Sequence, residues 1–316
     1  RGEENTAKGI NEMGYGYLSD KGIIRFEKES GEVHFVKDAH FHGELNNYFM
    51  AGGKKRALAS KVWHGSPFRK NYSRICFEKS PDKTALNLWT GLDMEGVTGN
   101  VDIVLELITE SLCDGDSEIA NWLIDWLANI IQRPWDKGAT VPVLTGPEGT
   151  GKGLLINKIM GKILKQYFIC VHNSSVLKQR FSPTGKMLTH IDEATWRGDR
   201  REGAILRALT GNDIVQTEIK FGPVIQVYNP SRYVVSSNHA EAVEVQMGNR
   251  RYVMIDCGDK YIGKKEFFAR IASALDSEKL AEKWLGFLLA RDLKDFSPWV
   301  MPRTFAGRKA KLAGIR

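Results

Sequence analysis

The sequence predicts an α/β fold in which a mostly parallel sheet is flanked by helices. Two observations favour it. Short apolar runs alternate with helical stretches between residues 138 and 257, and the first of these runs leads through a glycine-rich loop into a helical stretch. The strand-like runs are Val141–Leu144, Tyr167–Val171, Met187–Ile191, Tyr233–Val235 and Tyr252–Ile255. We therefore expect residues 138–257 to form the core domain.

Residues 1–100 are predicted to be an accessory region of mixed helix and strand. Strand-like runs occur at Gly22–Phe26 and Ser73–Phe77, and basic residues are interleaved with aromatic ones such as Trp63 and Trp89. This interleaving is typical of a surface that follows single-stranded nucleic acid, and equally of a solvated face over a small core. The sequence leaves both interpretations open.

Helical periodicity is clear on both sides of the core. Between residues 101 and 137, apolar residues recur at helical spacing in two stretches, which predicts a helical bundle or collar with a turn at Asp114–Asp116. Residues 258–316 are predicted to be a helical region followed by a basic tail. The predicted regions are therefore 1–100, 101–137, 138–257 and 258–316.

The composition is that of a globular protein, with 42% hydrophobic residues among 316 and a formal net charge of +7. That charge is compatible with a polyanionic partner without requiring one. No apolar run is long enough to cross a membrane and no signal peptide opens the chain, so we expect a cytoplasmic protein without a membrane partner. Because the chain begins Arg-Gly-Glu-Glu without Met, we also expect it to be part of a longer protein.

Cysteine and histidine give only weak metal signals. The cysteines are far apart in the sequence, which predicts reduced, buried thiols. They are Cys76, Cys113, Cys170 and Cys257. Asp38, His40 and His42 offer metal-binding groups at alternating positions, although histidines on one face of a strand more often pack or face solvent.

The most informative segment is the loop that follows Val141–Leu144. It matches the phosphate-binding pattern G-x-x-x-x-G-K, in which glycines let backbone N–H groups converge on phosphate oxygens and the lysine adds a positive charge. The N-terminus of the next helix favours the same anion. The residues predicted to bind a nucleoside triphosphate, which we take to be ATP, are Gly146, Pro147, Glu148, Gly149, Thr150, Gly151, Lys152, Gly153 and Leu154.

Two carboxylates follow the apolar run Met187–Ile191. A buried strand that delivers an aspartate and then a glutamate to its carboxyl end suits metal-assisted phosphoryl transfer. We predict that Asp192 holds Mg²⁺ and that Glu193 orients and deprotonates the attacking water. The alternative is an ordinary strand end with a solvated acidic turn, and the short interval after the glycine-rich loop favours the catalytic interpretation.

Gly153 departs from the loop pattern, because the residue after the lysine is ordinarily Ser or Thr. The hydroxyl at that position usually meets Mg²⁺, so the metal must be held in another way. Thr150 is not a natural substitute, since its position in such a loop usually faces away from the metal. We expect Asp192, phosphate oxygens and waters to suffice for an ion that keeps several waters.

Polar residues also flank two other predicted strands. Asn238 follows Arg232–Ser237 and is predicted to contact the attacking water or the terminal phosphate, although Ser and Asn also favour plain turns. Arg250 and Arg251 precede Tyr252–Ile255. An arginine there can stabilise charge on a transferring phosphoryl group, in its own subunit or in a neighbour, whereas the alternative is surface charge at a strand entrance.

Alternation over Ile214–Ile219, followed by Lys220, Phe221 and Gly222, predicts a β-hairpin with a basic and aromatic tip. Lys220 and Phe221 are predicted to contact DNA, because such a tip can grip a phosphate backbone and stack on a base. Taken alone, a segment of this kind is more often only a hairpin.

The order of these motifs resembles the superfamily 3 helicases, which are hexameric ring ATPases of the AAA+ class. More narrowly, the chain looks like the helicase module of phage and plasmid primase-polymerase proteins, with further likeness at Asn87–Gly91, Gln132–Pro134 and Leu289–Asp292. The resemblance implies an AAA+ P-loop ATPase core over residues 138–257. It also implies roles for individual residues: Walker A lysine for Lys152, Walker B pair for Asp192 and Glu193, sensor 1 for Asn238, arginine finger for Arg251 with Arg250 as second candidate, and DNA-gripping hairpin lysine for Lys220 beside Phe221.

From this resemblance we expect an ATP-dependent DNA helicase or translocase. A homo-oligomeric, hexameric ring would use ATP and Mg²⁺ at its subunit interfaces to move along single-stranded or forked DNA, with a linked N-terminal primase-polymerase domain outside this chain. The alternative is a module that loads or clamps DNA for that domain with little unwinding, which Gly153 favours. A small-molecule kinase with the same loop is disfavoured by the Asp192–Glu193 pair and the arginines at 250 and 251.

Overall fold

The computed structural model describes residues 2–48, 58–172, 184–193, 200–218, 224–238 and 251–302. These residues form two compact units. The first contains the described part of 1–90 together with Ile214–Tyr228, and the second contains the described parts of 91–213 and 229–316. Within the described residues, no helix is both long and apolar enough to cross a membrane.

The first unit is built around a small mixed sheet whose strands lie in the order β3-β2-β1-β4. Two further short strands, β5 and β6, pair in parallel. The N-terminal elements are α1 (Gly2–Glu12), β1 (Tyr15–Leu18), β2 (Gly22–Glu27), β3 (Glu32–Phe35), α2 (Asp38–Glu44), α3 (Ala59–Gly65), β4 (Asn71–Tyr72), β5 (Arg74–Cys76) and β6 (Ala85–Asn87).

Trp63 is part of the core of this unit rather than a free stacking surface. Its ring is fully buried, and its Nε1 donates a hydrogen bond to Asn11 Oδ1 at 3.0 Å. Trp89 packs against Phe77 with ring centroids 5.6 Å apart. For these two tryptophans the structure favours the interpretation of a small core.

The prediction that Asp38, His40 and His42 alternate along a strand is wrong, because Asp38–Glu44 is helical. Phe41 and Leu45, four residues apart, are both fully buried, so the apolar period here is that of a helix. His42 Nδ1 lies 2.7 Å from Ser60 Oγ, and His40 Nε2 lies 3.5 Å from Glu44 Oε1. Each histidine therefore has its own local partner.

The second unit contains a five-stranded sheet in the order β13-β7-β12-β9-β8, in which every paired strand is parallel to its neighbour. The strands from here on are β7 (Val141–Thr145), β8 (Phe168–Val171), β9 (Leu188–Ile191), β10 (Ile214–Glu218), β11 (Val224–Tyr228), β12 (Arg232–Ser237) and β13 (Tyr252–Asp256). β10 and β11 form the predicted antiparallel hairpin and belong to the first unit. The predicted parallel sheet is thereby confirmed.

Helices surround this sheet. They are α4 (Asp102–Glu106), which continues as a π-helical segment over Leu107–Leu112, α5 (Ser117–Gln132), a π-helical segment Leu154–Met160 that continues into α6 (Gly161–Leu164), a 3₁₀ turn at Lys165–Tyr167, α7 (Arg200–Gly211), α8 (Lys265–Ser277) and α9 (Leu280–Ala290). The predicted helices on both sides of the core are present, and they belong to the same unit as the sheet.

The start of α5 shows how sequence sets an element boundary. Asp114 and Gly115 both have positive φ, which turns the chain out of the preceding helix. Asp116 then caps α5, since its side chain accepts hydrogen bonds from the backbone N–H groups of Glu118 and Ile119. The Asp114–Asp116 turn predicted from the sequence is therefore confirmed.

Candidate functional site

The carboxyl ends of three adjacent strands meet at one edge of the parallel sheet. Thr145, the last residue of β7, pairs with Ser237 of β12, and Ile191 of β9 pairs with Val235 of β12. Together with the loop after β7 and one residue of α8, these ends line a cavity of about 360 Å³. Its lining residues are Glu148, Gly149, Thr150, Gly151, Lys152, Gly153, Asp192, Glu193, Ser236, Ser237, Asn238 and Phe268.

Lys152 lies folded against its own loop. Its Nζ donates hydrogen bonds to the carbonyl oxygens of Gly146 at 2.6 Å and Pro147 at 2.8 Å. Burial lowers the pKa of Lys152, and the nearby Cys257, Asp192 and Glu148 act in the opposite direction. The ammonium group is thus held at the rim of the cavity by neutral carbonyl groups, which an anion could displace.

Gly151 is required by both backbone and packing. Its φ is +90°, and a Cβ there would lie 2.6 Å from Leu107 Cδ1 and 3.1 Å from Phe268 Cε1. Thr150 next to it is fully buried, and its Oγ1 lies 3.3 Å from the Pro147 carbonyl oxygen. The Thr150 hydroxyl is therefore engaged within the loop.

Gly153 is not required in the same way. It has φ of −66°, which any residue adopts, and a Cβ there would meet Asn157 Nδ2 at the ordinary contact distance of 3.6 Å. The structure has room for a Cβ at this position. The departure from the loop pattern is therefore not enforced by space or by backbone conformation.

Asp192 is held by a chain of hydrogen-bonded polar side chains that runs through Ser236 and His190 to Asn157. Ser236 Oγ donates to Asp192 Oδ1 at 2.5 Å, and the backbone N–H of Glu193 donates to the same oxygen at 3.2 Å. Ser236 Oγ also lies 2.9 Å from His190 Nε2, and His190 Nδ1 lies 2.6 Å from Asn157 Oδ1. Burial lowers the pKa of the fully buried His190 to about 4, although Asp192 acts to raise it. Burial therefore disfavours the charged imidazole at this position.

Glu193 has a backbone conformation that is rare for its residue type. Its φ is +55°, in the left-handed region. Such conformations cost about 1–3 kcal/mol and cluster at functional sites. Asn238 also lines the cavity, and its Nδ2 donates to Glu148 Oε1 at 3.4 Å. The residues predicted to act on a terminal phosphate and its attacking water thus face one cavity.

Several residues of the site were not predicted from sequence as part of it. Cys170 and His190, which come from different strands, place a thiol and an imidazole within 4.8 Å of each other and of the predicted Asp192 carboxylate. Phe268 also lines the cavity, although sequence showed it only as part of an apolar helix face. His190 inside the mostly apolar run Met187–Ile191 is a local signal, because a buried polar side chain needs partners.

Arg251 lies away from this cavity. It directly precedes β13, whose first residue Tyr252 pairs with Val141 at the start of β7, so Arg251 lies at the amino edge of the sheet. Its Nη1 donates to the Arg207 carbonyl oxygen at 3.0 Å. The other predicted functional residues Arg250, Lys220 and Phe221 lie outside the described residues.

Comparisons with known proteins found a matching family model and matching solved structures. A family model described as a family of unknown function (DUF5906) matches residues 144–251. No significant match to a curated protein was found. The apo structure of the NrS-1 C terminal region (305-718) has a TM-score of 0.77 at 16% identity and covers 99% of this chain and 75% of that chain.

Two further structures of the NrS-1 C terminal region, both described as the A form apo structure, agree with this match. They have TM-scores of 0.75 and 0.76 at 17% and 18% identity, each covers 99% of this chain, and the matches span 76% and 75% of those chains. At these identities the likeness is one of fold. This chain therefore has the fold of the NrS-1 C-terminal region over nearly its whole length.

Proposed function

We propose that the chain is an ATP-dependent DNA helicase or translocase module of a phage- or plasmid-type replication protein. One observation carries the ATPase part: Lys152, Asp192, Glu193 and Asn238 line a single cavity at the carboxyl ends of adjacent parallel strands. β7 lies between β12 and β13, so strands that follow β7 in the sequence lie on both sides of it in the sheet. Ligands of parallel α/β sheets bind at such switch points, beyond the carboxyl ends of the strands.

The cavity suits a magnesium nucleotide. The loop offers backbone N–H groups and the Lys152 ammonium to phosphate oxygens, and Asp192 offers a carboxylate, the hard oxygen ligand that Mg²⁺ prefers. Mg²⁺ would neutralise charge on the phosphates when bound. Asp192 is preset for this role because Ser236 and the Glu193 N–H fix one of its oxygens.

The chain's own residues then divide the remaining work. Glu193, at the mouth of the cavity, is the base that orients and deprotonates the attacking water. Asn238 helps to position that water, or the terminal phosphate, from the end of β12. Lys152 exchanges its bonds to the carbonyl oxygens of Gly146 and Pro147 for charge-assisted bonds to phosphate.

The location of Arg251 supports a site completed by a second subunit. Arg251 lies at the amino edge of the sheet and the loop at the carboxyl edge, so this arginine does not serve the cavity of its own chain. In a closed ring the same surface can face the cavity of the neighbouring copy. Action on DNA is proposed from the sequence resemblance together with the shared fold of the NrS-1 C-terminal region.

A nucleotide-binding measurement tests whether the loop binds phosphate groups as proposed. Lys152→Ala should weaken binding of fluorescent ADP at least tenfold, because roughly 1.4 kcal/mol is lost with a charge-assisted phosphate contact. Lys158→Ala is the matched control, since Lys158 is exposed on the segment that follows the loop. Equal affinities of the two variants would refute the assignment of the loop.

The second candidate is a module that loads or clamps DNA with little unwinding. Gly153 favours it, because a loop without a Ser or Thr hydroxyl offers the metal one ligand fewer and can slow turnover. A strand-displacement assay on a forked DNA distinguishes the two. ATP-dependent displacement supports the helicase, whereas ATP-dependent DNA retention without displacement supports the clamp.

A further inference from the structure

Side chains that can bind a metal recur at every second position on two neighbouring strands beside the cavity. β8 contains Cys170 and is followed by His172, and β9 contains His190 and is followed by Asp192. Cys170 and His190 are register partners, and the backbone N–H of Asp192 donates to the Val171 carbonyl oxygen at 2.9 Å. Because side chains alternate along a strand, these four side chains lie on one face of the sheet.

The polar atoms on this face lie close together. Cys170 Sγ lies 4.0 Å from His172 Nδ1, which lies 3.8 Å from Asp192 Oδ2. A carboxylate oxygen of Asp192 is also within 4.8 Å of the thiol. Zn²⁺ bound tetrahedrally by sulfur, nitrogen and oxygen would hold these atoms roughly 3.3–3.6 Å apart. Small side-chain rotations bridge the difference, and His172 can make one because its side chain is 76% exposed.

His190 supports this cluster through hydrogen bonds to other side chains. Its Nδ1 lies 2.6 Å from Asn157 Oδ1, and its Nε2 lies 2.9 Å from Ser236 Oγ. Ser236 Oγ in turn donates to Asp192 Oδ1. The chain of polar groups thus fixes one oxygen of Asp192, while the other oxygen, Oδ2, faces His172.

The types of ligand on this face indicate which metal it suits. Mg²⁺ prefers oxygen ligands, whereas a thiolate and an imidazole suit Zn²⁺. β8 is an edge strand of its sheet, Cys170 is half-buried and His172 is exposed, so a metal ion can reach the cluster from solvent. An ion pair between His172 and Asp192 alone would explain the contact of these two residues but would give the thiol no part in it.

We propose that Cys170, His172 and Asp192 form a Zn²⁺ site, in which a thiolate, an imidazole and a carboxylate bind the metal and a fourth position is open to water. Such an open position is typical of Zn²⁺ sites that are not purely structural. The thiol proton passes to the solvent when the metal binds. The site itself needs no nucleotide. Because Asp192 is also the proposed Mg²⁺ ligand, Zn²⁺ bound here inhibits ATP hydrolysis, and this consequence rests on the proposed function.

Titration of the whole chain with Zn²⁺, in competition with a chromophoric chelator, tests the site. The wild type should bind one Zn²⁺ tightly, and Cys170→Ser and His172→Ala should each weaken binding at least about tenfold, since loss of even a supporting group typically costs 10–100-fold in metal affinity. His40→Ala, which removes an exposed histidine of the first unit, is the matched control and should bind as the wild type does. With Co²⁺ as the probe, the wild type should show a thiolate-to-cobalt charge-transfer band that Cys170→Ser lacks.

Three outcomes overturn the site. They are no Zn²⁺ binding by the wild type, equal Zn²⁺ affinity of the wild type and both variants, and a Co²⁺ complex without the thiolate band. Equal affinity of the wild type and Cys170→Ser would leave only the ion pair between His172 and Asp192. Should Cys170→Ser fail to fold, His172→Ala changes an exposed position and still decides the question.

The inhibitory consequence is measured separately, as phosphate release from ATP at buffered free Zn²⁺ concentrations. His172→Ala should need at least about tenfold more Zn²⁺ than the wild type for the same inhibition. Equal sensitivity of the two proteins would refute inhibition through this site. A wild type that releases no phosphate even without Zn²⁺ would instead reject the proposed function, and the Zn²⁺ titration would still decide whether the site exists.

Discussion

In the second unit, the fold requires glycine at one position of the loop and only tolerates it at another. Gly151 is demanded, because its φ is +90° and Leu107 and Phe268 pack against it. Gly153 is permitted, because a Cβ would fit there without displacing a neighbour. Neither space nor backbone conformation therefore explains the departure from the loop pattern at Gly153.

Lys137 is a buried cation that the sequence did not mark. It is 3% exposed, and its Nζ donates to the carbonyl oxygens of Leu209 at 2.7 Å and Asn212 at 2.5 Å. Burial lowers the pKa of Lys137 to about 8, against an ordinary 10.5, with Asp213 acting in the opposite direction. The folded protein thus gives up this proton more readily than the unfolded chain does.

The pH dependence of stability tests this residue. Between pH 8 and pH 10 the unfolded chain binds more protons at Lys137 than the folded protein, so the free energy of unfolding rises with pH in this window. Relative to Lys137→Met, the wild type should gain about 2 kcal/mol from pH 8 to pH 10. Urea unfolding at both pH values measures the difference, and Lys158→Met serves as the exposed control. If the difference in unfolding free energy between wild type and Lys137→Met is the same at pH 8 and pH 10, the lowered pKa of Lys137 is contradicted.

The helices α5 and α9 are joined by Gln132, the first residue of the Gln132–Pro134 segment. Gln132 ends α5, and its Nε2 donates to the carbonyl oxygens of Leu288 at 2.7 Å and Arg291 at 2.8 Å, at the end of α9. Arg291 in turn donates to Asp125 of α5 at 2.6 Å. Two segments that are distant in sequence, Gln132–Pro134 and Leu289–Asp292, therefore meet in the structure.

Removing the Gln132 amide should destabilise this helix pair. Gln132→Ala removes the side-chain donor from two carbonyl oxygens, and Leu288 O then keeps only the 3.4 Å bond from the Arg291 N–H. We expect a loss of about 1–2 kcal/mol of unfolding free energy. Thermal or urea unfolding of Gln132→Ala beside Lys294→Ala, an exposed change close to α9, gives the comparison. A Gln132→Ala protein as stable as the control would show that the two bonds contribute nothing.

The elements of the sheet were largely predictable, and the site's supporting groups were not. All five apolar runs of the core became strands, because buried parallel strands consist of near-continuous apolar residues. The glycine-rich loop and the Asp192–Glu193 end followed from local pattern. The supporting groups come from three different elements: His190, Ser236 and Asn157. They meet because β9 pairs with β12 and because the helical segment after β7 packs beside β9.

One wrong prediction and one cluster missed in the sequence have physical causes. Polar residues alternate over Asp38–His42, as they would on a strand. The buried residues Phe41 and Leu45 are spaced as in a helix, and five residues are too few to show this spacing. Cys170 was assigned to isolated thiols, because the metal-binding group that it forms with His190 and Asp192 depends on strand pairing and not on spacing along the chain. The roles of Lys220, Phe221 and Arg250 stay predictions.

At the scale of the whole molecule, the proposal is that one copy completes the cavity of the next. Mixing subunits tests this directly. Arg251→Ala retains its own cavity and Glu193→Gln retains its arginine, so a mixed ring contains repaired interfaces, about a quarter of the total for random assembly of equal amounts. Each variant alone should be inactive as an ATPase, and the mixture should recover activity. An inactive mixture of assembled subunits would argue against a trans-acting Arg251.

ATP hydrolysis by Glu193→Gln beside the wild type shows whether the cavity is an ATPase site. The cavity arrangement predicts that the wild type releases phosphate from ATP, and that Glu193→Gln, in which only the base is lost, binds ADP as tightly but turns over at least 100-fold more slowly. Phosphate release by Glu193→Gln at the wild-type rate, or no release by the wild type in the presence of Mg²⁺ and single-stranded DNA, would contradict the account.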